Sequence, residues 1–339
     1  MIRPDDGGFR SLLRIPRDRA TGSLLAAFTS LLVGCGGSNG SKPPVDGAID
    51  GPSAPPWWQP KVGEAKNWDI QLGAPIDVSA PRVMYDLDLW ALVPSPTTID
   101  YGDGDPVMVP TGALAGTIAQ LHARTPSTIV ICHVETGALE MGRPDARKFP
   151  AGVIGGAVPD LAAARFLDVR EASRAMWTSI MFKRFDLARS IGCDGVEPAH
   201  NNVGAYSGTG FTIPTPESYS WYAAVATQGH DRMLSTGMKD ADFIGGAVDT
   251  GAASFDWLMT ERCGEFDTCD AARPFINLEK AVFAIDYNFD SGDDSVVPPV
   301  PPQPQGSTLV CMHQGTAMIA DGLYKDVALT SAVRTQCEP

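Results

Sequence analysis

The chain has 339 residues, of which 44% are hydrophobic, and a formal net charge of −14 at pH 7. This length and hydrophobic content allow one large domain or two ordinary ones, with a sizeable core. The acidic balance argues against nucleic acid as a partner, because phosphate binding needs a basic surface. An acidic surface favours a neutral or cationic ligand, although acidity alone also serves solubility.

Residues 1–35 predict a targeting segment. Arginines between positions 10 and 19 precede an apolar stretch at 23–33, which is too short to span a membrane as a mature helix. The stretch runs into Gly34-Cys35, a pattern that resembles a bacterial lipoprotein signal with a lipidated cysteine. An ordinary secretory signal cleaved nearby is the alternative. We therefore expect an exported protein, either held in the cell envelope by a lipid on Cys35 or secreted.

Residues 36–56 are rich in Gly, Ser and Pro, the composition of a flexible tether. Residues 57–339 are predicted to form a single domain. Within it, residues 289–306 are acidic and then Pro-rich, which predicts a poorly ordered insertion. We expect a monomer that meets a membrane only through its N-terminal lipid.

Six of the seven cysteines remain when Cys35 is set aside, and an even number in an exported chain indicates disulfides. Cys263 and Cys269 are close in sequence and are the predicted bridge. The pairing of the others stays open: Cys132, Cys193, Cys311 and Cys337. Neither CxxC nor HExxH occurs, so the sequence predicts no metal site and no cofactor.

Short apolar runs alternate with helical patterns along the domain. Strands are predicted at 68–72, 82–90, 128–134, 165–169, 191–198, 233–238, 255–260, 281–285 and 307–312. Helices are predicted at 112–124, 171–190 and 216–229. This alternation is typical of an α/β fold with a parallel sheet, and the number of strands favours a (β/α)8 TIM barrel. No GxGxxG follows a strand, so a dinucleotide-binding fold has no support.

Charged residues recur where predicted strands end. They are Asp168, Asp194, Glu197, Lys239, Glu261 and Asp286. A barrel carries its site at the C-terminal ends of its strands, so we expect these side chains in one cleft. Two carboxyl groups suit glycoside hydrolysis, in which one protonates the leaving oxygen and the other is a nucleophile or activates water. Structural ion pairs are the alternative.

Aromatic side chains at a sugar site stack on the rings. The candidates are Trp57, Trp58, Trp68 and Trp257. Core packing is the alternative for each, because tryptophan is highly buried on average.

A series of motifs runs through residues 57–337. The segments are 68–72 (WDIQL), 85–89 (YDLDL), 131–137, 143–145 (RPD), 166–170 (FLDVR), 192–198 (GCDGVEP), 209–211 (TGF), 260–263 (TERC) and 280–287. In this order they resemble glycoside hydrolase family 114, the endo-α-1,4-polygalactosaminidase family with a TIM-barrel domain. The resemblance implies a galactosamine-type polysaccharide as the partner. It implies Glu261 as a catalytic acid, with Glu197 or Asp194 in the other role. Residues expected to bind substrate are Trp68, Asp86, Arg143, Asp168, Asn201, Asn202, Tyr206, Lys239 and Asp286.

The chain departs from the family pattern after Pro198. The family continues D-N-V-D-G-Y, and its first Asp is the acid expected to pair with the glutamate at Glu261. Alignment places Asn201 at that Asp and Gly204 at the second one. An amide does not ionise, so Asn201 cannot be a nucleophile or a general base. His133 also replaces a family tyrosine.

Three functions stay open. The chain is an active hydrolase, a barrel that binds an amino-sugar polymer without cutting it, or a surface lipoprotein that retains only the fold. The amide at Asn201 favours the last two. The retained carboxylates favour the first, because charge in a cleft is costly to keep buried. Polygalactosamine carries free amines, which an acidic cleft would attract.

Overall fold

The structure is a computed structural model that describes residues 55–64, 66–159, 161–239, 241, 244–264, 268–287 and 321–337. The predicted signal at 1–35, most of the tether, the insertion at 289–306 and the strand at 307–312 lie outside these residues. These four remain predictions.

The described residues form fourteen strands and six α-helices. The first eight strands are β1 (Asp69–Gln71), β2 (Met84–Asp88), β3 (Thr97–Ile99), β4 (Val107–Val109), β5 (Ile129–Glu135), β6 (Ala138–Glu140), β7 (Ile154–Ala157) and β8 (Ala164–Leu167). The others are β9 (Gly195–Ala199), β10 (Ser235–Lys239), β11 (Trp257–Glu261), β12 (Val282–Tyr287), β13 (Asp321–Lys325) and β14 (Arg334–Gln336). The helices are α1 (Thr117–His122), α2 (Glu171–Arg174), α3 (Thr178–Ile191), α4 (Thr215–His230), α5 (Ala247–Gly251) and α6 (Arg273–Asn277).

Nine strands make the main sheet, in the order β1-β2-β5-β9-β10-β11-β12-β13-β14. The first eight run parallel, and β14 is antiparallel to β13. Side chains bridge the seam between β13 and β1: Lys325 Nζ lies 2.8 Å from Asp69 Oδ1, and Arg334 donates to the carbonyl of Trp68 at 2.6 Å. The predicted (β/α)8 TIM-barrel fold is confirmed, although the described residues provide fewer than eight helices.

Side chains along each barrel strand alternate between the interior and an outer layer. The interior is a closed apolar cluster that includes Trp68, Ile70, Met84, Ile131, Trp257, Met259, Phe283 and Ile285. The outer layer belongs to a second cluster, in which strand residues such as Val130 and Val196 pack with helix residues such as Phe185 and Trp221. This two-sided burial explains the apolar run of β5, as parallel strands require.

The predicted strand at 165–169 forms as β8, but it is not a barrel strand. It is the centre of a separate antiparallel sheet in the order β6-β8-β7. The eighth barrel strand is instead β13, which lies beyond the last predicted strand. A short apolar run does not by itself show which strand it pairs with.

Two disulfides are defined. The predicted Cys263–Cys269 bridge is confirmed, and Cys132–Cys193 joins β5 to the residue pair that precedes β9. Cys337 is disulfide-bonded as well. Within the described ranges, no helix has the length and apolar character needed to cross a membrane.

Candidate active site

Charged side chains gather inside the barrel above its apolar interior, at the C-terminal ends of five strands. They are Asp86, His133, Glu197, Lys239 and Glu261. We call this end of the barrel the mouth. Period-two alternation places them there, because each follows an interior residue of its strand by two positions, as Asp86 follows Met84 and Glu261 follows Met259. The structure therefore brings together four predicted site residues, and His133 is added to them.

Glu197 is held by two cations. Its Oε1 lies 3.0 Å from Lys239 Nζ, and its Oε2 accepts a hydrogen bond from His133 Nδ1. Burial alone would raise the pKa of Glu197, but Lys239 and His133 hold it below its ordinary value. The side chain has no exposed surface. Glu197 is thus an ionised carboxylate that fixes its neighbours and has no contact with solvent.

Glu261 is the accessible carboxylate of this group. Its side chain is 22% exposed, and Lys239 Nζ lies 3.4 Å from its Oε1. The hydroxyl of Tyr287 donates to the same oxygen at 2.6 Å. Two donors therefore orient a carboxyl group that a substrate can reach. Tyr287 was missed in the sequence, although it shares a face with Ile285 by strand alternation.

Asp86 lies at the bottom of the cluster and has no exposed surface. Burial and the charge of Glu197 raise the pKa of Asp86 well above its ordinary value. Neither of its carboxyl oxygens has a hydrogen-bond partner among the described residues. Asp86 therefore keeps its proton to a higher pH than an exposed aspartate does.

Asp86, His133 and Glu197 each place one potential ligand atom within 4.8 Å of the others. Such a group is a possible metal site. However, Glu197 is already bonded to His133 and paired with the ammonium of Lys239. A metal ion would have to displace these cations, so the arrangement does not suit one.

The network of charged side chains continues from Glu197 through His133 and Glu135 to His200. His133 Nε2 lies 3.1 Å from Glu135 Oε1, and Glu135 Oε2 lies 2.6 Å from His200 Nδ1. Burial lowers the pKa of His133, but Glu197 and Glu135 together raise it well above its usual range. Burial would raise the pKa of Glu135, but His200 and His133 hold it well below. The result is a row of alternating charges from Lys239 through Glu197 and His133 to Glu135, and His200 lies beside the last of them.

Asp194 and Asp286 are not part of the mouth. Asp194 precedes β9, at the opposite end of the barrel, where it accepts from the Val130 amide at 2.8 Å and pairs with His122 at 2.9 Å. The expectation that Asp194 shares the catalytic role is therefore corrected. Asp286 lies on the outer face of β12, where it helps burial to raise the pKa of Tyr324. Asp286 does lie near the end of a barrel strand, as predicted, but its side chain is on the outer face of that strand and not on the inner one.

Asn201 is buried and turned into the fold. Its Oδ1 accepts from Thr136 at 2.6 Å and from Trp221 at 2.7 Å, and its Nδ2 donates to the carbonyl of Pro198 at 2.9 Å. These bonds make it a structural residue rather than the substrate ligand that was predicted. Its neighbour Asn202 is 3% exposed.

The other predicted binding residues lie around the mouth or beside it. Arg143 makes two bonds to Asp88 at the end of β2, at 2.6 and 3.1 Å. Asp168 follows β8 and accepts from Arg170 at 2.6 Å. The ring of Tyr206 lies against Phe166, with 4.9 Å between centroids.

The tryptophans are not stacking platforms at the mouth. Trp68 and Trp257 have no exposed surface and pack against Phe283 inside the barrel, so core packing is the correct interpretation. Trp57 stacks on His230 at 4.5 Å near the N-terminal ends of the strands. Trp58 packs nearby, 6.3 Å from Phe283.

Residues 49–338 match the glycoside-hydrolase family GH114. Among solved structures, the chain is similar to Ega3 of Aspergillus fumigatus in complex with galactosamine, with 26% identity, a TM-score of 0.64, and coverage of 83% of this chain and 97% of that one. A GH18 chitinase from Pseudoalteromonas aurantia follows with 11% identity, a TM-score of 0.43 and coverage of 77% and 93%. Morphinone reductase in complex with tetrahydroNAD shows 12% identity, a TM-score of 0.41 and coverage of 69% and 80%. No curated protein matches the sequence significantly.

Proposed function

Because the chain belongs to glycoside-hydrolase family GH114, we propose that it hydrolyses a polysaccharide of α-1,4-linked galactosamine-type residues. The similarity to a structure that contains galactosamine supports the substrate class. The observation that carries the chemistry is Glu261, an accessible carboxyl group oriented by Tyr287 and Lys239 at the mouth.

In this proposal Glu261 is the general acid. It gives its proton to the glycosidic oxygen as the bond to the anomeric carbon breaks. Tyr287 and Lys239 position the carboxyl group, and Glu197 holds Lys239 in place from the buried side. Glu197 has no exposed surface, so it supports the site without touching the sugar.

Charge favours an amino-sugar polymer. The protein has a net charge of −14, and a polymer with free amines is positively charged at neutral pH. Attraction of this kind weakens as salt screens it. Acetylation of the amines should therefore weaken binding, and added salt should weaken binding of the free-amine polymer.

We also propose that the protein is exported as a monomer and is anchored through a lipid on Cys35. Residues 55–62 lie across the N-terminal end of the barrel, where Trp57 Nε1 donates to Asp256 at 3.0 Å and the Ala281 amide donates to Pro60 at 2.9 Å. The described part of the domain therefore begins at the end of the barrel opposite the mouth. Release of a Cys35→Ser variant from the membrane fraction, with the wild type retained, is the expected result. Equal distribution of the two would contradict the anchor.

Binding without cleavage is the second candidate. It is favoured by the amide at Asn201 and by the complete burial of Glu197, which leave Glu261 without an obvious second carboxylate. Such a protein would retain the polymer and release no product.

One experiment separates the two candidates. The purified protein is incubated with a deacetylated α-1,4-galactosamine polymer, with the acetylated polymer as the matched substrate. Short oligomers detected by mass spectrometry support hydrolysis, and retention without oligomers supports binding alone. If the protein neither retains the polymer nor releases oligomers from it, both candidate functions are contradicted.

A further inference from the structure

A groove lies along β7 and the turn that joins β7 to β8, and the proposed hydrolysis does not use it. Its volume of about 560 Å³ falls within the roughly 300–1,000 Å³ that is usual for small-molecule sites. The residues that line it include Met141, Ala151, Ile154, Ala157, Leu161 and Arg165. Most of the lining is small and apolar, which suits a ligand that is uncharged where it touches the groove.

The groove belongs to the same end of the barrel as the mouth, because β6, β7 and β8 follow the C-terminal end of β5. The turn after β6 connects the two places. Its Met141 lines the groove, and its Arg143 makes two bonds to Asp88. Asp88 in turn is the register partner of His133 at the mouth. A polymer that leaves the mouth over this turn therefore reaches the groove.

Backbone contacts fix the shape of the groove. The Met141 amide donates to the carbonyl of Ala163 at 3.0 Å, which ties the turn after β6 to the turn before β8. The Gly156 amide donates to the carbonyl of Thr209 at 2.7 Å, and a Cβ on Gly156 would lie 1.8 Å from the carbonyl oxygen of Gly208. The strand β7 is thus packed tightly against a second segment. A surface held in this way loses little entropy when a ligand binds to it.

The charge of the surface changes between the mouth and the groove. The mouth presents the accessible carboxyl group of Glu261. Among the described residues that line the groove, Arg165 carries the only charge, and its Nε donates to the carbonyl of Gly155 at 2.7 Å. This positive charge disfavours an ammonium group in the groove. An N-acetylated sugar is neutral instead, and its methyl group gains from burial against small apolar side chains.

We propose that the groove binds N-acetylated residues of the same polymer whose free-amine residues lie at the mouth. This inference rests on the proposed function, because it assigns the groove to another part of that substrate. Complete acetylation removes the amines that the acidic mouth attracts, and complete deacetylation leaves the groove without its ligand. The preferred polymer is therefore partially acetylated, with free amines near Glu261 and acetyl groups beyond Arg143.

The test compares kcat/KM on two α-1,4-galactosamine polymers of equal length, one fully deacetylated and one partially acetylated. The wild type should favour the partially acetylated polymer roughly tenfold, the lower end of what an apolar group gains in a fitted pocket. Met141→Asp should reverse this preference through KM, because a carboxylate in the groove disfavours the acetyl group and attracts amines. Met108→Asp is the matched control, since Met108 is 64% exposed, Met141 is 51% exposed, and only Met141 lines the groove. The control should keep the preference of the wild type.

Binding is measured apart from cleavage with Glu261→Gln and isothermal titration calorimetry. This variant should bind the partially acetylated polymer more tightly than the fully deacetylated one. Addition of Met141→Asp to it should remove the difference in Kd, and addition of Met108→Asp should not.

Two results would overturn the role of the groove while hydrolysis at the mouth still stands. One is a wild-type protein that cleaves both polymers equally well or favours the fully deacetylated one. The other is an equal shift in Met141→Asp and Met108→Asp, which would indicate a general effect of added charge. If neither polymer is cleaved but tighter binding of the partially acetylated one depends on Met141, the groove is supported and the proposed hydrolysis fails.

Discussion

Lys239 on β10 and Glu197 on β9 form a buried ion pair, with 3.0 Å between Nζ and Oε1. The same ammonium lies 3.4 Å from Glu261, so one cation connects a buried carboxylate to an accessible one. The pair therefore links the stability of the barrel interior to the orientation of the proposed acid.

Replacement of Lys239 by Met should destabilise the protein strongly. Glu197 would keep its burial but lose one of its two cations, and breaking a buried pair in this way costs about 3–5 kcal/mol. Urea denaturation measures the free energy of unfolding. Arg147→Met is the control, since Arg147 and Asp105 are 52% and 58% exposed and solvent screens their pair, so its loss should cost far less. Equal costs for the two variants would contradict the account of Glu197.

Asp86→Asn should become more stable relative to the wild type as the pH rises. Burial and Glu197 raise the pKa of Asp86 in the folded state, so folding takes up a proton above the unfolded pKa of about 3.9. The contribution of Asp86 to stability is complete below that value and is lost as the pH rises towards the folded pKa. The difference between variant and wild type should grow by about 1.4 kcal/mol per pH unit in this window.

Urea denaturation at a series of pH values upward from about 4 measures this slope, which a constant effect of the substitution does not alter. The exposed Asp249, changed to Asn, serves as the control and should follow the wild type. If the Asp86→Asn and wild-type curves are parallel, the folded protein does not hold the extra proton.

Asn201→Asp should not restore a catalytic carboxylate. The new oxygen would face the carbonyl of Pro198, where the amide now donates at 2.9 Å, and an unsatisfied buried group costs about 1–3 kcal/mol. We expect lower stability and no gain in the rate of polymer cleavage. The exposed Asn277→Asp, at the end of α6, should change stability by about 0.5 kcal/mol or less. A large rise in rate for Asn201→Asp would show that residue 201 reaches the substrate.

The two disulfides should differ in their contribution to stability. Cys132–Cys193 closes a loop with a sequence separation of 61, and Cys263–Cys269 one with a separation of 6. Loop-closure entropy gives about 4 kcal/mol for the first and about 2 kcal/mol for the second. Paired Cys→Ala variants, compared by urea denaturation, should lose stability in that order. The reverse order would mean that strain or residual structure, rather than loop length, decides.

The sequence predicts most of the barrel because parallel strands with two buried faces leave continuous apolar runs, as in β5. It does not predict which strands pair. For that reason β8, an apolar run like the others, was assigned to the barrel although it pairs with β6 and β7. The position of Asp286 shows a second limit, since a strand end is visible in the sequence but its inward face depends on register.

Part of the candidate site was predicted, because the ends of parallel strands are visible in the sequence. Glu197 and Glu261 carry the family motifs and lie where parallel strands end. Glu135 was not among the predicted site residues, and its link to His200 depends on the turn after Ala199. A signal was nevertheless present, because His133 and Glu135 are two apart in an apolar strand and must share a face.

The most direct measurement is the initial rate at which the wild-type protein and Glu261→Gln release new reducing ends from a deacetylated α-1,4-galactosamine polymer. The account predicts release by the wild type, a loss of roughly 100-fold or more in the variant, and polymer binding by both. Equal rates in the two proteins would contradict the role of Glu261. No release by the wild type would contradict hydrolysis itself.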